Sequence, residues 1–282
     1  MSTQEQYVAS ADGTQIWAEA AGDPHKPAVV FIHGLACSAL GFDRQFDDPE
    51  LLQSLYMVRY EMRGHGRTGT PDEIEAYASK HQAEDFRAVC HAFGVKKPFV
   101  FGWSLGACVP VDVANHYGAS FLSGVIYCGG PVISLRLCLE TIQDAWKPLM
   151  PAVLSTDANI STRFARTFAD SCVANPGVTL PWPIKLQFMG AFGSQPPQVR
   201  AFSHNREQDE TRWRAEARHW PVLLLQGTED AHCITDVVVM QARSLYDDVE
   251  VRVMQGVGHA PQFERAGEVN RALLYFVRRA VE

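Results

Sequence analysis

The chain has 282 residues, a formal net charge of −7, 46% hydrophobic residues and 20% charged residues. This is the composition of a soluble globular protein with a large core, folded as one large or two small domains. The acidic balance, with no dense Lys/Arg run, excludes a general nucleic-acid surface, and no apolar run reaches the roughly 18 residues of a membrane span.

The apolar stretch nearest to a span, 121–135, is interrupted by Gly124, Gly129, Gly130 and Pro131. The N-terminal residues Met1 to Gln6 are polar and lack the basic-then-apolar pattern of a secretory signal. Cys37, Cys90, Cys108, Cys128, Cys138, Cys172 and Cys233 are scattered, and no two form Cys-x-x-Cys. A zinc knuckle or redox pair is therefore not expected. Buried thiols in a reducing compartment are, and with them a cytoplasmic location.

In chain order, β-prone runs at 6–9 and 15–20 flank Asp12-Gly13 and predict a hairpin. Residues 28–32, Ala-Val-Val-Phe-Ile, are apolar throughout, as a strand covered on both faces is, and end in His33-Gly34-Leu35-Ala36. A strand at 55–60 precedes the glycine-rich loop Arg63-Gly64-His65-Gly66-Arg67-Thr68-Gly69. The spacing of Ala83, Phe86, Cys90 and Phe93 predicts a helix over 79–93, capped by Gly94. A buried strand at 98–101 then runs through Gly102-Trp103-Ser104-Leu105-Gly106 into a helix predicted over 105–116, and another buried strand follows at 122–128.

From about 132 to 211 the alternation stops. Helical patterns at 137–149, 159–174, 184–192 and 197–205 are punctuated by prolines and rich in aromatics, which predicts an inserted helical cap. Most of those aromatics are expected in the cap's own core. Trp146, Trp182 and Phe188, with Trp103 beside the serine, are the candidates for lining a substrate pocket. The sheet pattern resumes with strands at 222–226 and 249–254 and helices at 233–245 and 266–281. The expected domains are thus a core of 1–131 and 212–282 and a cap of 132–211. Strand–helix alternation predicts a parallel sheet with its functional loops at the carboxyl ends of the strands.

Three residues stand in loops that should share that edge. Ser104 occupies a strand-to-helix turn between two glycines, where a side chain is pushed clear of the sheet. A serine hydroxyl needs a base, and His259, in Gly256-Val257-Gly258-His259 after the last strand, can supply it. An acid must orient the second ring nitrogen. Asp230 at the end of the preceding strand fits, with Glu229 and Asp236 as rivals; His65 and His232 are rival bases. The oxyanion donors would be the backbone N–H groups of Leu105, at the start of a helix, and Leu35, in the turn after His33-Gly34.

Together, His33-Gly34, Arg63-Gly64-His65-Gly66, Gly102-Trp103-Ser104-Leu105-Gly106, Gly227 with Asp230, and Gly258-His259 resemble the α/β-hydrolase superfamily, in its branch with a helical cap. The resemblance runs across almost the whole chain except the cap. It implies a mostly parallel eight-stranded sheet with helices on both faces, a triad in the order Ser, Asp, His, and no cofactor or metal. Its spacing favours Asp230 as the acid. The sequence departs from the family pattern at Glu61-Met62, before Arg63-Gly64, and at Thr68. Epoxide hydrolases and haloalkane dehalogenases of this fold carry Asp at the nucleophile turn, so Ser104 argues against both. Hydroxynitrile lyases usually carry Lys after the active-site histidine, where this chain has Ala260.

The expected function is hydrolysis of carboxylic esters or lactones of small to medium apolar molecules through an acyl-enzyme. Acyl transfer, carbon–carbon bond hydrolysis and perhydrolysis use the same triad, and a ligand receptor on the scaffold is the alternative of another class. The expected partner is a small-molecule substrate; oligomeric state is left open.

Overall fold

The computed structural model describes residues 4–130 and 133–282. The boundary expected at 131/132, and the first three residues of the N-terminal segment, lie outside them. Eight strands form one sheet: β1 (Gln4–Ala9), β2 (Gln15–Gly22), β3 (Ala28–Ile32), β4 (Tyr56–Tyr60), β5 (Phe99–Trp103), β6 (Gly124–Cys128), β7 (Pro221–Gly227) and β8 (Asp248–Met254). Their order is β1-β2-β4-β3-β5-β6-β7-β8. β2 pairs antiparallel with both β1 and β4, and every later pairing is parallel. All five residues of β4, β5 and β6 are buried. Successive strand side chains point to opposite faces, so both faces of the central sheet are covered.

The helices are α1 (Asp43–Phe46), α2 (Pro49–Ser54), α3 (Ser79–Ala92), α4 (Val109–Tyr117), α5 (Leu135–Thr141), α6 (Met150–Val153), α7 (Ala158–Ser171), α8 (Pro176–Thr179), α9 (Trp182–Ser194), α10 (Pro197–Asn205), α11 (Thr211–Glu216), α12 (Thr235–Leu245), α13 (Pro261–Glu264) and α14 (Ala266–Val281). Helices α5 to α11 all fall between β6 and β7.

Prolines account for two differences from the sequence expectation. The helix expected over 105–116 begins as a 3-10 helix, Ser104–Cys108, and becomes α-helical only at α4. Pro110 has no N–H and is tolerated only in the first turn of an α-helix. The single helix expected over 137–149 is broken: α5 stops at Thr141, Ile142 forms an antiparallel bridge with Cys233, and a 3-10 helix at Lys147–Leu149 leads into α6. Pro148 has no N–H to bond back to residue 144, so the expected helix cannot run on to 149, and the earlier stop at Thr141 goes with the Ile142–Cys233 bridge; Pro151 falls in the first turn of α6. Helices α1 and α2 lie in a stretch where the sequence pattern predicts no element. Asp48 caps α2, accepting from Glu50 N and Leu51 N, with Pro49 at its first position.

The Arg63 loop and the insertion are tied to the core by buried charges. Arg63 donates to both oxygens of Asp85 on α3, at 2.8 and 2.6 Å, and to Asp12 at 2.8 Å. From the segment after α10, Arg206 reaches Asp112 on α4 at 2.8 Å, and Gln208 donates to the same carboxylate at 2.8 Å. At both departures from the family pattern the side chain binds backbone. Glu61 accepts from Arg67 N at 2.6 Å, and Thr68 Oγ1 donates to Glu61 O at 2.6 Å while accepting from Trp17 N.

Replacing Arg63 by Met leaves the buried Asp85 carboxylate without its partner and is expected to cost about 3–5 kcal/mol of unfolding free energy in urea. Replacing Arg63 and Asp85 together by Met and Leu is expected to restore most of that loss.

Candidate active site

The strand order reverses between β3 and β5, which places the ends of these strands at a switch point where open α/β sheets bind ligands. Ser104 stands there with φ at +51°, a left-handed conformation costly for a residue with a Cβ. The flanking glycines make the turn possible. A Cβ on Gly102 would lie 2.6 Å from Ala107 Cα, and one on Gly106 would collide with the carbonyl oxygens of Ile32 and His33. A Cβ on Gly34 would lie 3.2 Å from Ser104 Cβ, so the turn after β3 runs directly against the serine.

The structure brings Ser104, His259 and Asp230 into one chain of hydrogen bonds. Ser104 Oγ is 2.8 Å from His259 Nε2, and His259 Nδ1 is 3.0 and 2.9 Å from the two Asp230 oxygens. A carboxylate only accepts, so His259 Nδ1 carries a proton and Nε2 presents its lone pair to the serine hydroxyl. Asp230 also accepts from Gln226 Nε2 at 2.9 Å, His232 N at 2.8 Å and Cys233 N at 3.0 Å. Burial alone would raise its pKa. The facing His259 charge and these hydrogen bonds outweigh burial and hold it at about 2. Glu229 and Asp236 do not join this chain. His65 is bonded to Arg63 O and Gln195 instead, and burial pushes it well below the ordinary imidazole value. His33 is likewise held by backbone, Nδ1 against Gly34 O at 2.8 Å and Nε2 accepting from Met62 N at 3.1 Å.

Leu35 and Leu105 both border the cavity that holds Ser104. Leu105 is the second residue of its 3-10 helix, where N–H groups have no carbonyl behind them in the helix. The cavity, about 650 Å³ counted with its mouth, is otherwise walled by Trp103, Ile142, Trp146, Met150, Val153 and Phe168, by the thiols Cys37, Cys138, Cys172 and Cys233, and by His204, His232 and His259. Among the described residues no Asp, Glu, Lys or Arg lines it. A second cleft of about 510 Å³ lies across Trp103 and Cys37, bordered by Leu40, Ile184, Phe188, Phe263 and Arg44.

The four expected pocket aromatics therefore separate. Trp103 is the partition, its Nε1 donating to His259 O at 2.8 Å. Trp146 lines the serine cavity, and Phe188 lines the second cleft. Trp182 is a correction: it is 57% exposed and borders neither. It is the first residue of α9, whose buried face starts one turn later at Lys185 and continues through Phe188 and Phe192.

Two glutamines that the sequence does not single out hold Asp230 and its loop. Gln226 bridges Asp230 and Gly130 N, and Gln143 donates to the carbonyls of Asp230 and Cys233, each at 3.2 Å. Gln226 stands only four residues before Asp230, but its second partner, Gly130 N, and both partners of Gln143 are distant in sequence, so no local motif marks the pair. Asp230, Cys233 and His259 offer metal-ligating atoms within 4.8 Å of one another, but the atoms of Asp230 and His259 are already bonded to each other.

Because the Asp230 pKa in the folded chain lies below the ordinary 3.8, its stabilisation is complete above about pH 4 and is lost as pH falls through 2. The loss amounts to about 2 kcal/mol. In urea unfolding at pH 5 and pH 2, Asp230→Asn is expected to lose about 2 kcal/mol less over that interval than the parent chain.

Residues 29–272 match the profile of the "Alpha/beta hydrolase family". The chain is 40% identical over 82 residues to a probable oxidoreductase, EphD, of Mycobacterium tuberculosis; the match covers 29% of this chain but only 14% of that relative. It is 27% identical over 120 residues to the rhodomycin D methylesterase DnrP of Streptomyces peucetius, covering 42% of this chain and 40% of that protein. Among solved structures, a putative aryl esterase from Burkholderia cenocepacia superposes with a TM-score of 0.88 at 26% identity, covering 99% of both chains. With the family profile spanning most of its length and the eight-stranded sheet in place, this chain belongs to the α/β-hydrolase family.

Proposed function

We propose that the protein is a serine hydrolase of carboxylic esters or lactones, with Ser104 as nucleophile, His259 as general base and acid, and Asp230 as the group that orients His259. The observation that carries this is the continuous hydrogen-bond chain from Ser104 Oγ through both nitrogens of His259 to Asp230. The esterase descriptions of the Burkholderia structure and the Streptomyces relative support the same reaction class.

Ser104 Oγ attacks the substrate carbonyl carbon as His259 Nε2 takes the hydroxyl proton. The negative charge gathers on the carbonyl oxygen, for which the N–H groups of Leu105 and Leu35 are the proposed donors. Each such donor contributes about 3–4 kcal/mol of transition-state stabilisation. The tetrahedral adduct collapses as the imidazolium protonates the leaving alcohol, which leaves an acyl ester on Ser104. Water then attacks that ester, giving its proton to His259, and the acid departs as Ser104 regains its hydrogen. No step calls on a cofactor.

Residues 132–211 act in this reading as a cap over a core of 1–131 and 212–282. The serine cavity suits a neutral, apolar or aromatic part of a small to medium substrate, because burying a charge among uncharged walls is costly. The second cleft, across Trp103, receives the other part.

Ser104→Ala is expected to lower turnover of a neutral chromogenic ester about 10⁴-fold or more without changing the far-ultraviolet circular dichroism. Turnover that survives in that variant contradicts the reading. Among paired esters, one carrying a carboxylate on the part seated in the serine cavity is expected to have a kcat/KM about 100-fold below its neutral isostere.

A further inference from the structure

His232 takes no part in the reaction as written, yet its ring lies between two others. On one side the Trp146 indole stacks on it, with centroids 4.0 Å apart and planes 22° apart. On the other side is the His259 imidazole, also with centroids 4.0 Å apart, tilted by 44°. The stack thus runs from the helical insertion to the residue that takes the serine proton.

Hydrogen bonding fixes the state of the middle ring. Ser171, the last residue of α7, donates its one hydroxyl hydrogen to Phe168 O at 2.7 Å. Its oxygen can then only accept from His232 Nε2, 2.8 Å away. His232 therefore carries its proton on Nε2, and its Nδ1 is bare in the neutral ring. Burial, reinforced by the facing His259 charge, pushes its pKa well below the ordinary imidazole value, in keeping with a neutral ring. The neighbouring titratable groups do not change this. From the other elements, burial holds His204 low and Cys233 high, and contact with Cys37 together with burial holds Cys172 high. Burial likewise raises Cys138. The Asp230 charge pulls His232 the other way but is outweighed by burial and His259, and Glu264 accepts from Gly258 N and Ala174 N. Asp170, next to Ser171, is paired with Lys185.

We propose that His232 is a positioning residue, held by Trp146 and Ser171 of the insertion, whose neutral aromatic face supports the His259 ring and stabilises it as the imidazolium that forms during turnover. A neutral π-face near a cation attracts it, whereas a second imidazolium at that distance would repel it. The proposal rests on the assignment of His259 as the general base. It makes the placement of the insertion, and not only its shape as a pocket wall, a determinant of the base's strength.

The test is the pH dependence of kcat/KM for a neutral chromogenic ester, measured for the parent chain, Ser104→Ala, His232→Leu and His232→Phe, with thermal unfolding as a check on folding. Leucine removes the π-face. It is expected to lower the midpoint of the acidic limb by about 0.5 unit and the plateau about 3- to 10-fold. Phenylalanine keeps a face and is expected to leave the midpoint within about 0.2 unit of the parent. A leucine variant with the parent's midpoint and plateau, a phenylalanine variant as impaired as leucine, or a change confined to KM overturns the proposal. If His232→Leu does not fold, His232→Met, which likewise has no π-face, replaces it, with a shift in the same direction expected; an unmoved limb overturns the proposal. Absence of Ser104-dependent turnover in the parent would instead overturn the hydrolase reading itself.

Discussion

A carboxylate without solvent has to be held by donors, and much of this site's geometry follows from how Asp230 is held. Its donors come from β7 (Gln226), from its own loop (the N–H groups of His232 and Cys233) and from the loop after β8 (His259). Those bonds keep it ionised despite burial, and an ionised Asp230 requires the Nδ1–H form of His259. Only that form offers a lone pair to Ser104. The bond at the acid thus sets the state of the hydroxyl two links away.

The same loop ties the insertion to the core. Cys233 forms an isolated bridge with Ile142, and Gln143 donates to two carbonyls of the acid's loop. The chain just after α5 is therefore fixed to the segment that carries Asp230. Trp146, a few residues further on, is delivered against His232. At its other end the insertion is anchored by Arg206 and Gln208 on Asp112, in the helix that follows the serine turn. Both ends of the insertion thus meet core elements next to the site.

What the sequence disclosed follows the range of the forces involved. Val29 to Ile32 and Phe99 to Phe101 are continuous apolar runs because both sheet faces are covered, and such runs are visible locally. Gly102 and Gly106 stand four residues apart across a strand-to-helix turn, a local pattern, although the backbone that a Cβ on Gly106 would meet belongs to Ile32 and His33. Pocket lining is another matter. Trp146 and Trp182 both stand in a proline-punctuated helical stretch, yet one is buried against a histidine and the other faces solvent. Trp146 is placed by the ties of Ile142 and Gln143 to the Asp230 loop, and Trp182 opens α9 ahead of its buried face, and no local pattern records either. His232 was visible only as a rival base. Its placement depends on rings contributed from the insertion and from the loop after β8.

In the proposed reaction His259 makes the Ser104 hydroxyl a nucleophile that carries the acyl group. The direct measurement is mass spectrometry of the protein acid-quenched during turnover of a short chromogenic ester, followed by peptide mapping. An added acyl mass is expected on the peptide containing Ser104, absent in the His259→Ala protein. Acylation on a cysteine instead, or undiminished acylation of Ser104 without His259, would contradict it.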